Sequence, residues 1–453
     1  MALAIKARHL GRSLLYSYQA TQSIAIAHRL HTSHQSRYES TQLGRQKGNG
    51  GALDGVKVID LSRVLAGPMC AQILADYGAE VIKIEDIGKG DDTRHFKARG
   101  EGKAWKSDIG PMSNYYASIN RNKRSLTLNL KHEQGRQIFL DLVKSADVVV
   151  ENFRTGTLEK LGIGYDVLSD VNPGIILGSV TGYGASGPDA KKAGYDMIVG
   201  ADAGMLHLTG ERNGPPIRPG LGITDMSSGL FLHGAILAAL YARSRTGRGQ
   251  KIDTSLFETQ VALLINVGMS WLNLGQEAER WGTQHPSVVP YDAFKTKDLY
   301  FVCGATNEKQ WNLFTKLLGL EHLREDARFK TNGDRVEHRE ELFPLVNKVF
   351  ATKSTDEWKE IFEGSGLPFA PINNMERVFD HHQTHARDMI KQVPFEYADG
   401  GQLKVIGPSV KFSDTKPSIR RRPALLGEHS TEILRELGRA DAEIAELHRN
   451  QVI

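Results

Sequence analysis

The chain has 453 residues, of which 40% are hydrophobic and 24% charged, a globular composition with material for two or three cores. Cys70 and Cys303 are its only cysteines; they argue against a disulfide framework, no spacing suggests a zinc site, and no continuous apolar run is long enough to span a bilayer. The net charge of +4 is local: residues 1–50 carry seven basic residues against Glu39, a net of +6, which leaves −2 for the rest and, without a basic stripe, excludes a nucleic-acid footprint.

The first 38 residues contain no acid and mix Arg, Ser and other hydroxyl residues with short apolar clusters. That composition predicts a mitochondrial transit peptide over 1–50 and a matrix location. The final Gln-Val-Ile is not a peroxisomal ending. Folded chain is expected from near Leu53. GVKVIDLS reads as a buried strand, GPMCAQILADYG as a helix with Pro68 early and Gly78 just past its end, and AEVIKIE as a second strand. Such a βαβ unit implies a parallel sheet. GRQIFLDLVKSA, DVVVENF and PGIILGSVTGYG continue the rhythm as helix, strand and strand, so the fold class is α/β. The large domain is expected over 51–256, with a helical pattern from Ile252 to Val267 and a linker over 257–280. A smaller α+β domain follows over 281–365. It opens on a hairpin around Lys297, Asp298 and Leu299, where Leu299 in place of glycine implies a longer turn. Residues 366–453 return to the large domain.

Several segments carry candidate chemistry. Gly182, Gly184 and Gly187 match G-x-G-x-x-G, but Pro188 and a polar stretch follow where a dinucleotide fold needs a helix; a glycine loop lining a cleft fits better. Arg63, Val64 and Leu65 end the first strand, and Asn152, Phe153 and Arg154 end a later one, positions where α/β folds bind ligands. NKRSLTLNLK reads either as an edge strand with protective lysines or as charge for a phosphorylated ligand. Asp196 and Asp225 each precede helical patterns and could be helix caps. The Asp225 stretch, GLGITDMSSG, surrounds its carboxylate with small residues that let a substrate approach the backbone. The backbone N–H groups near Met226 to Gly229 are the expected oxyanion donors. The His381, His382, His385 cluster lacks partners for a metal site.

LDGVKVIDLSRVLAGP, GAEVIKIE, NKRSLTLNLK, VENFRTGTLEKLG, GYDM, ITDMSSG, ALYARSRTGRGQ and PALLGEHSTEIL occur in this order, and together they resemble the family III (CaiB/BaiF) CoA-transferases over residues 53–453. The resemblance implies a Rossmann-like large domain built from both chain ends, an inserted small domain, and two ring-like subunits interlocked as a homodimer. It implies Asp225 as nucleophile, with Asp196 in support. Coenzyme A, a substrate thioester rather than a permanently bound cofactor, would lie over Val64, Leu65, Ala66, Leu128, Lys131, Asn152, Phe153, Arg154, Lys160 and Tyr195. Arg63 would take the acceptor carboxylate. Partners are then acyl-CoA and free carboxylic acids, with no nucleic acid, membrane or metal. Asp86 departs from the formyl-CoA members, which carry arginine there. Transit-like tail and FEGSGLPFAPINNM most resemble members that move CoA from succinyl-CoA to glutarate or 3-hydroxy-3-methylglutarate. Formyl-CoA/oxalate and carnitine pairs are the alternative substrates. A racemase of the same fold would need a histidine where Tyr195 stands, and a phenol with a pKa of about 10 is a poor base.

Overall fold

The structure is a computed structural model, and it describes residues 50–106 and 109–453. The segment expected to be a transit peptide lies outside the described residues, apart from Gly50. Residues Gly51–Ile453 form one compact unit.

The apolar runs read as strands form a six-stranded sheet of β1 (Lys57–Asp60), β2 (Glu80–Glu85), β3 (Lys123–Thr127), β4 (Val148–Glu151), β5 (Ile176–Thr181) and β6 (Lys251–Ser255). Every pairing is parallel and the order is β3-β2-β1-β4-β5-β6. Because successive side chains point to opposite faces, Val148 and Val150 enter one core and Val149 the other. The first core takes Leu74 and Cys70 from the Ala66–Asp76 helix and Leu232 and Ile236 from the Ile223–Thr246 helix. The second takes Ile138 and Phe139, and then Ile433, Ile444, Val452 and Ile453, so the chain's end packs under its beginning.

The Ile223–Thr246 helix is long and apolar enough, by length and composition, to cross a membrane, although Asp225, Ser227, Ser228 and His233 interrupt its apolar run. Here Leu232, Ile236 and Ala239 are spent on the sheet face. Ile252–Ser255, read as helical, is β6: an edge strand with a polar outer row, whose pairing with β5 decides its conformation. Helices Leu256–Ala262 and Ile265–Leu274 occupy most of the expected linker. The small sheet pairs β7 (Tyr291–Lys295) and β8 (Tyr300–Gly304) across a four-residue loop, and adds β9 (Phe369–Pro371) beyond the expected boundary at 365. Its core is aromatic, with Phe294 stacked on Phe350 at 4.6 Å. A last hairpin joins β10 (Ile390–Pro394) to β11 (Gln402–Ile406).

β3 is an edge strand, yet its bases are neither solvated nor open to a ligand. Lys123 is 1% exposed and bonds Asp60, Asn120 and the Pro68 carbonyl, each at 2.8 Å. Arg124 pairs with Glu80, Glu432 and Glu436. The covering turn at His429, whose N–H donates to the Ser125 carbonyl at 3.0 Å, buries the edge.

Candidate active site

Strand order reverses between β1 and β4, and the crevice outside their carboxyl ends is where an open parallel sheet binds ligands. Asp60 leads there into Ser62–Ala66, and Glu151 into Asn152–Arg154. Asn152 joins the two loops, accepting the Arg63 N–H at 2.8 Å and donating to the Arg63 carbonyl at 2.6 Å. Glu151 is buried and bonds the Phe153 N–H at 2.8 Å. Burial raises its carboxyl to about 7 against the hydrogen bonds from Ser179 and Phe153.

Asp225 faces this crevice from the first turn of the Ile223–Thr246 helix, where Gly222 is the N-cap. It is therefore not the cap of that helix. Asp196, the first residue of the Asp196–Asp202 helix, does not cap its own helix either. Its Oδ1 accepts the Asp225 N–H at 3.0 Å, so it terminates the neighbouring helix across the chain. Its other oxygen is buried without a hydrogen-bond partner. Burial, and then the Asp196 charge, raise the Asp225 carboxyl to about 7. Tyr115 lies in the same field: burial first, and then Asp225, Asp196 and Asp91, raise its phenol against Arg218, so it stays a hydrogen-bond donor at neutral pH.

The amides from Met226 to Gly229 are not free oxyanion donors. Met226 N–H donates to the Gly222 carbonyl at 2.9 Å, and the next three lie inside the helix, where amides bond four residues back. Gly229 serves packing instead. A Cβ there would stand 2.5 Å from the Ala66 carbonyl oxygen, and backbone cannot give way. Gly229→Ala is expected to push the helix off the Val64–Ala66 loop, costing about 1–3 kcal/mol of stability and lowering turnover with it. Urea unfolding beside steady-state rates checks this.

A cavity of about 170 Å³ brings together Arg63, Val64, Leu65, Ala66, Asn152, Phe153, Arg154, Tyr195 and Asp225. Among its cations, Arg63 is 3.4 Å from Asp92 and Lys192 is 2.6 Å from Asp202. Arg154 is exposed and has no ion pair among the described residues. Thr181, Asp92 and Lys192 also line it and were not singled out from sequence, whereas Gly182 of the glycine loop, expected to line a cleft, does so here. Leu128, Lys131 and Lys160 do not line it: Leu128 is a core residue at 2% exposure, and both lysines are exposed. A larger cavity of about 1150 Å³ runs past Arg212, Arg280 and Trp281 but touches neither Asp225 nor Asp196. Its Arg212 is paired with Glu340, and its Arg280 bonds the His207 and Gly214 carbonyls. Asp225 belongs to the smaller one.

Residues 53–430 match the model of CoA-transferase family III. The chain belongs to that family. It is 59% identical over 419 residues, 92% of each chain, to an acyl-CoA transferase of Fusarium pseudograminearum. It is 44% identical over 390 residues, 86% of each chain, to the succinyl-CoA:glutarate CoA-transferase of Homo sapiens. Among solved structures, a CaiB/BaiF family protein from Brucella suis superposes with a TM-score of 0.78 at 36% identity, covering 86% of this chain and all of that one. This family III enzyme thus acts on CoA thioesters.

Proposed function

We propose that this enzyme moves CoA from succinyl-CoA to a second dicarboxylic acid, glutarate or 3-hydroxy-3-methylglutarate, through covalent intermediates on Asp225. The observation that carries the reading is one carboxylate with no hydrogen bond to its oxygens among the described residues, desolvated beside a second carboxylate, in the crevice at the sheet's switch point. Desolvation strips a carboxylate of the water that quenches it as a nucleophile. The sequence family and its succinyl-CoA:glutarate relative support the substrate class.

Asp225 attacks the thioester carbonyl and the CoA thiolate leaves, giving a mixed succinyl–aspartyl anhydride. The thiolate attacks the aspartyl carbonyl, releases succinate and leaves CoA as a thioester on Asp225. The acceptor carboxylate displaces that thiolate to form a second anhydride. The thiolate then attacks the acceptor's carbonyl, and the Asp225 carboxylate is regenerated. Arg154 is the cation open to an incoming anion, and Arg63 can exchange Asp92 for the distal carboxylate, which bidentate pairing would orient. Val64–Ala66, Asn152–Arg154 and Tyr195 would hold the acyl end of CoA, and the exposed Lys131 and Lys160 would meet its remainder, while Leu128 stays in the core. A second copy supports the assembly: the Ile265–Leu274 helix buries none of its residues, and Leu272 and Leu274 are 77% and 74% exposed. The acid-free first 38 residues support import into the mitochondrial matrix.

Incubation with succinyl-CoA and a panel of acids tests the reading. Glutaryl-CoA or 3-hydroxy-3-methylglutaryl-CoA should form faster than oxalyl-CoA or carnitinyl-CoA, without α-proton exchange on a branched acyl-CoA. The opposite ranking would remove the dicarboxylate assignment. The attacking carboxylate must be ionised, so kcat/KM should rise with pH through about 7. Asp196→Asn keeps an acceptor for the Asp225 N–H but removes the like charge. Its ascending limb should move to lower pH, by only part of the total displacement because burial is the larger cause.

A further inference from the structure

We propose that Asp91 is a positioning residue for acyl transfer: it holds Val64 in a left-handed backbone conformation and so fixes the Val64–Ala66 wall of the Asp225 cavity. The inference rests on the reading of Asp225 as nucleophile. Val64 has φ of 68°, a region that β-branched residues all but avoid and that persists only where the surroundings impose it. The imposing groups are in place. Asp91 Oδ1 accepts the Val64 N–H at 3.1 Å, together with the N–H and hydroxyl of Thr93 at 2.9 and 2.8 Å. Its other oxygen stands 3.0 Å from the Lys83 ammonium, which donates to the Ser62 carbonyl at 2.7 Å. Both side chains are at most 1% exposed.

One buried ion pair therefore grips the loop at Ser62 and at Val64, while Asn152 closes on Arg63 between them. The next two residues meet the nucleophile's helix. A Cβ on Gly222 would touch the Leu65 side chain at 3.1 Å, and one on Gly229 the Ala66 carbonyl at 2.5 Å. The loop thus abuts the helix on both sides of Asp225. Asp91 does not line the cavity, so it acts on the reaction through Val64. The competing role is plain neutralisation of Lys83, and a glycine separates the two, because glycine adopts a left-handed φ with no hold.

The test compares wild type, Lys83→Met/Asp91→Ala, and that double variant with Val64→Gly added. Removing both charges leaves no unpaired buried ion. Each protein is assayed for CoA affinity and for the single-turnover rate of covalent adduct formation on Asp225 with succinyl-CoA. The double variant should bind CoA within about fivefold of wild type yet form adduct about 10²-fold more slowly, the scale of an ångström's misplacement. Adding Val64→Gly should restore at least about tenfold of that rate. An unchanged rate in the double variant, or a loss that Val64→Gly does not recover, overturns the proposal. If the double variant fails to fold, Asp91→Asn, which keeps an acceptor for the Val64 N–H, should retain adduct formation within about tenfold, and a greater loss overturns it. Wild type that forms no adduct on Asp225 would instead bring down the nucleophile reading, and this inference with it.

Discussion

Asp225→Asn is expected to lower turnover by at least about 10⁴-fold, the scale of deleting a covalent nucleophile, while making the folded protein more stable at neutral and alkaline pH. The two effects share one cause. Burial and the Asp196 charge raise the Asp225 carboxyl to about 7, against about 4 for an unfolded chain. Between those values the native state binds more protons than the unfolded one, so this group's contribution to stability falls as pH rises from about 4 to about 7 and stays low above it. Asparagine cannot ionise and escapes that loss. Its advantage should therefore be about 1–3 kcal/mol at pH 8 and should shrink towards pH 5. Urea unfolding of both proteins at the two pH values checks the sign. A variant equally stable or weaker at pH 8 would mean that the charge on Asp225 is not held at a cost.

Arg94→Ala should have the largest effect on stability, about 3–5 kcal/mol, because it leaves a buried carboxylate unpaired. Arg94 is fully buried. It meets Glu85 through two bonds of 2.7 Å, reaches the Ala424 carbonyl at 3.2 Å, and lies over the Tyr116 ring at 3.7 Å. One guanidinium thus joins the end of β2, the Asn114–Ile119 helix and the returning C-terminal chain. A matched change of both partners, Glu85→Gln with Arg94→Met, should recover part of the loss, since no lone charge then remains. Equilibrium unfolding of the single and double variants measures it. A single variant within about 1 kcal/mol of wild type would show water reaching Glu85.

The parallel sheet was legible because its central strands are buried on both faces, and such strands read as near-continuous apolar runs. β6 was not: its outer row is polar, so only its neighbour β5 makes it a strand. β9 has three residues, one of them Pro371, too few for any period. At the site, small residues about Asp225 and the strand-end positions of Arg63 and Asn152 pointed to the crevice. The pairing of Asp196 with the Asp225 amide spans 29 residues, and no local pattern encodes it. Val64 misleads outright, because its side chain argues against the backbone conformation that Asp91 imposes. The amides after Asp225 looked available only until the helix absorbed them.

In the proposed reaction the chemistry passes through a covalent intermediate on Asp225. Mass spectrometry of the protein after incubation with succinyl-CoA, followed by peptide mapping and then by addition of glutarate, addresses it directly. A CoA adduct on Asp225 is expected, which disappears with glutarate as glutaryl-CoA forms, and no adduct is expected in Asp225→Asn. Glutaryl-CoA formation with no adduct, or an adduct on another residue that survives Asp225→Asn, would contradict it.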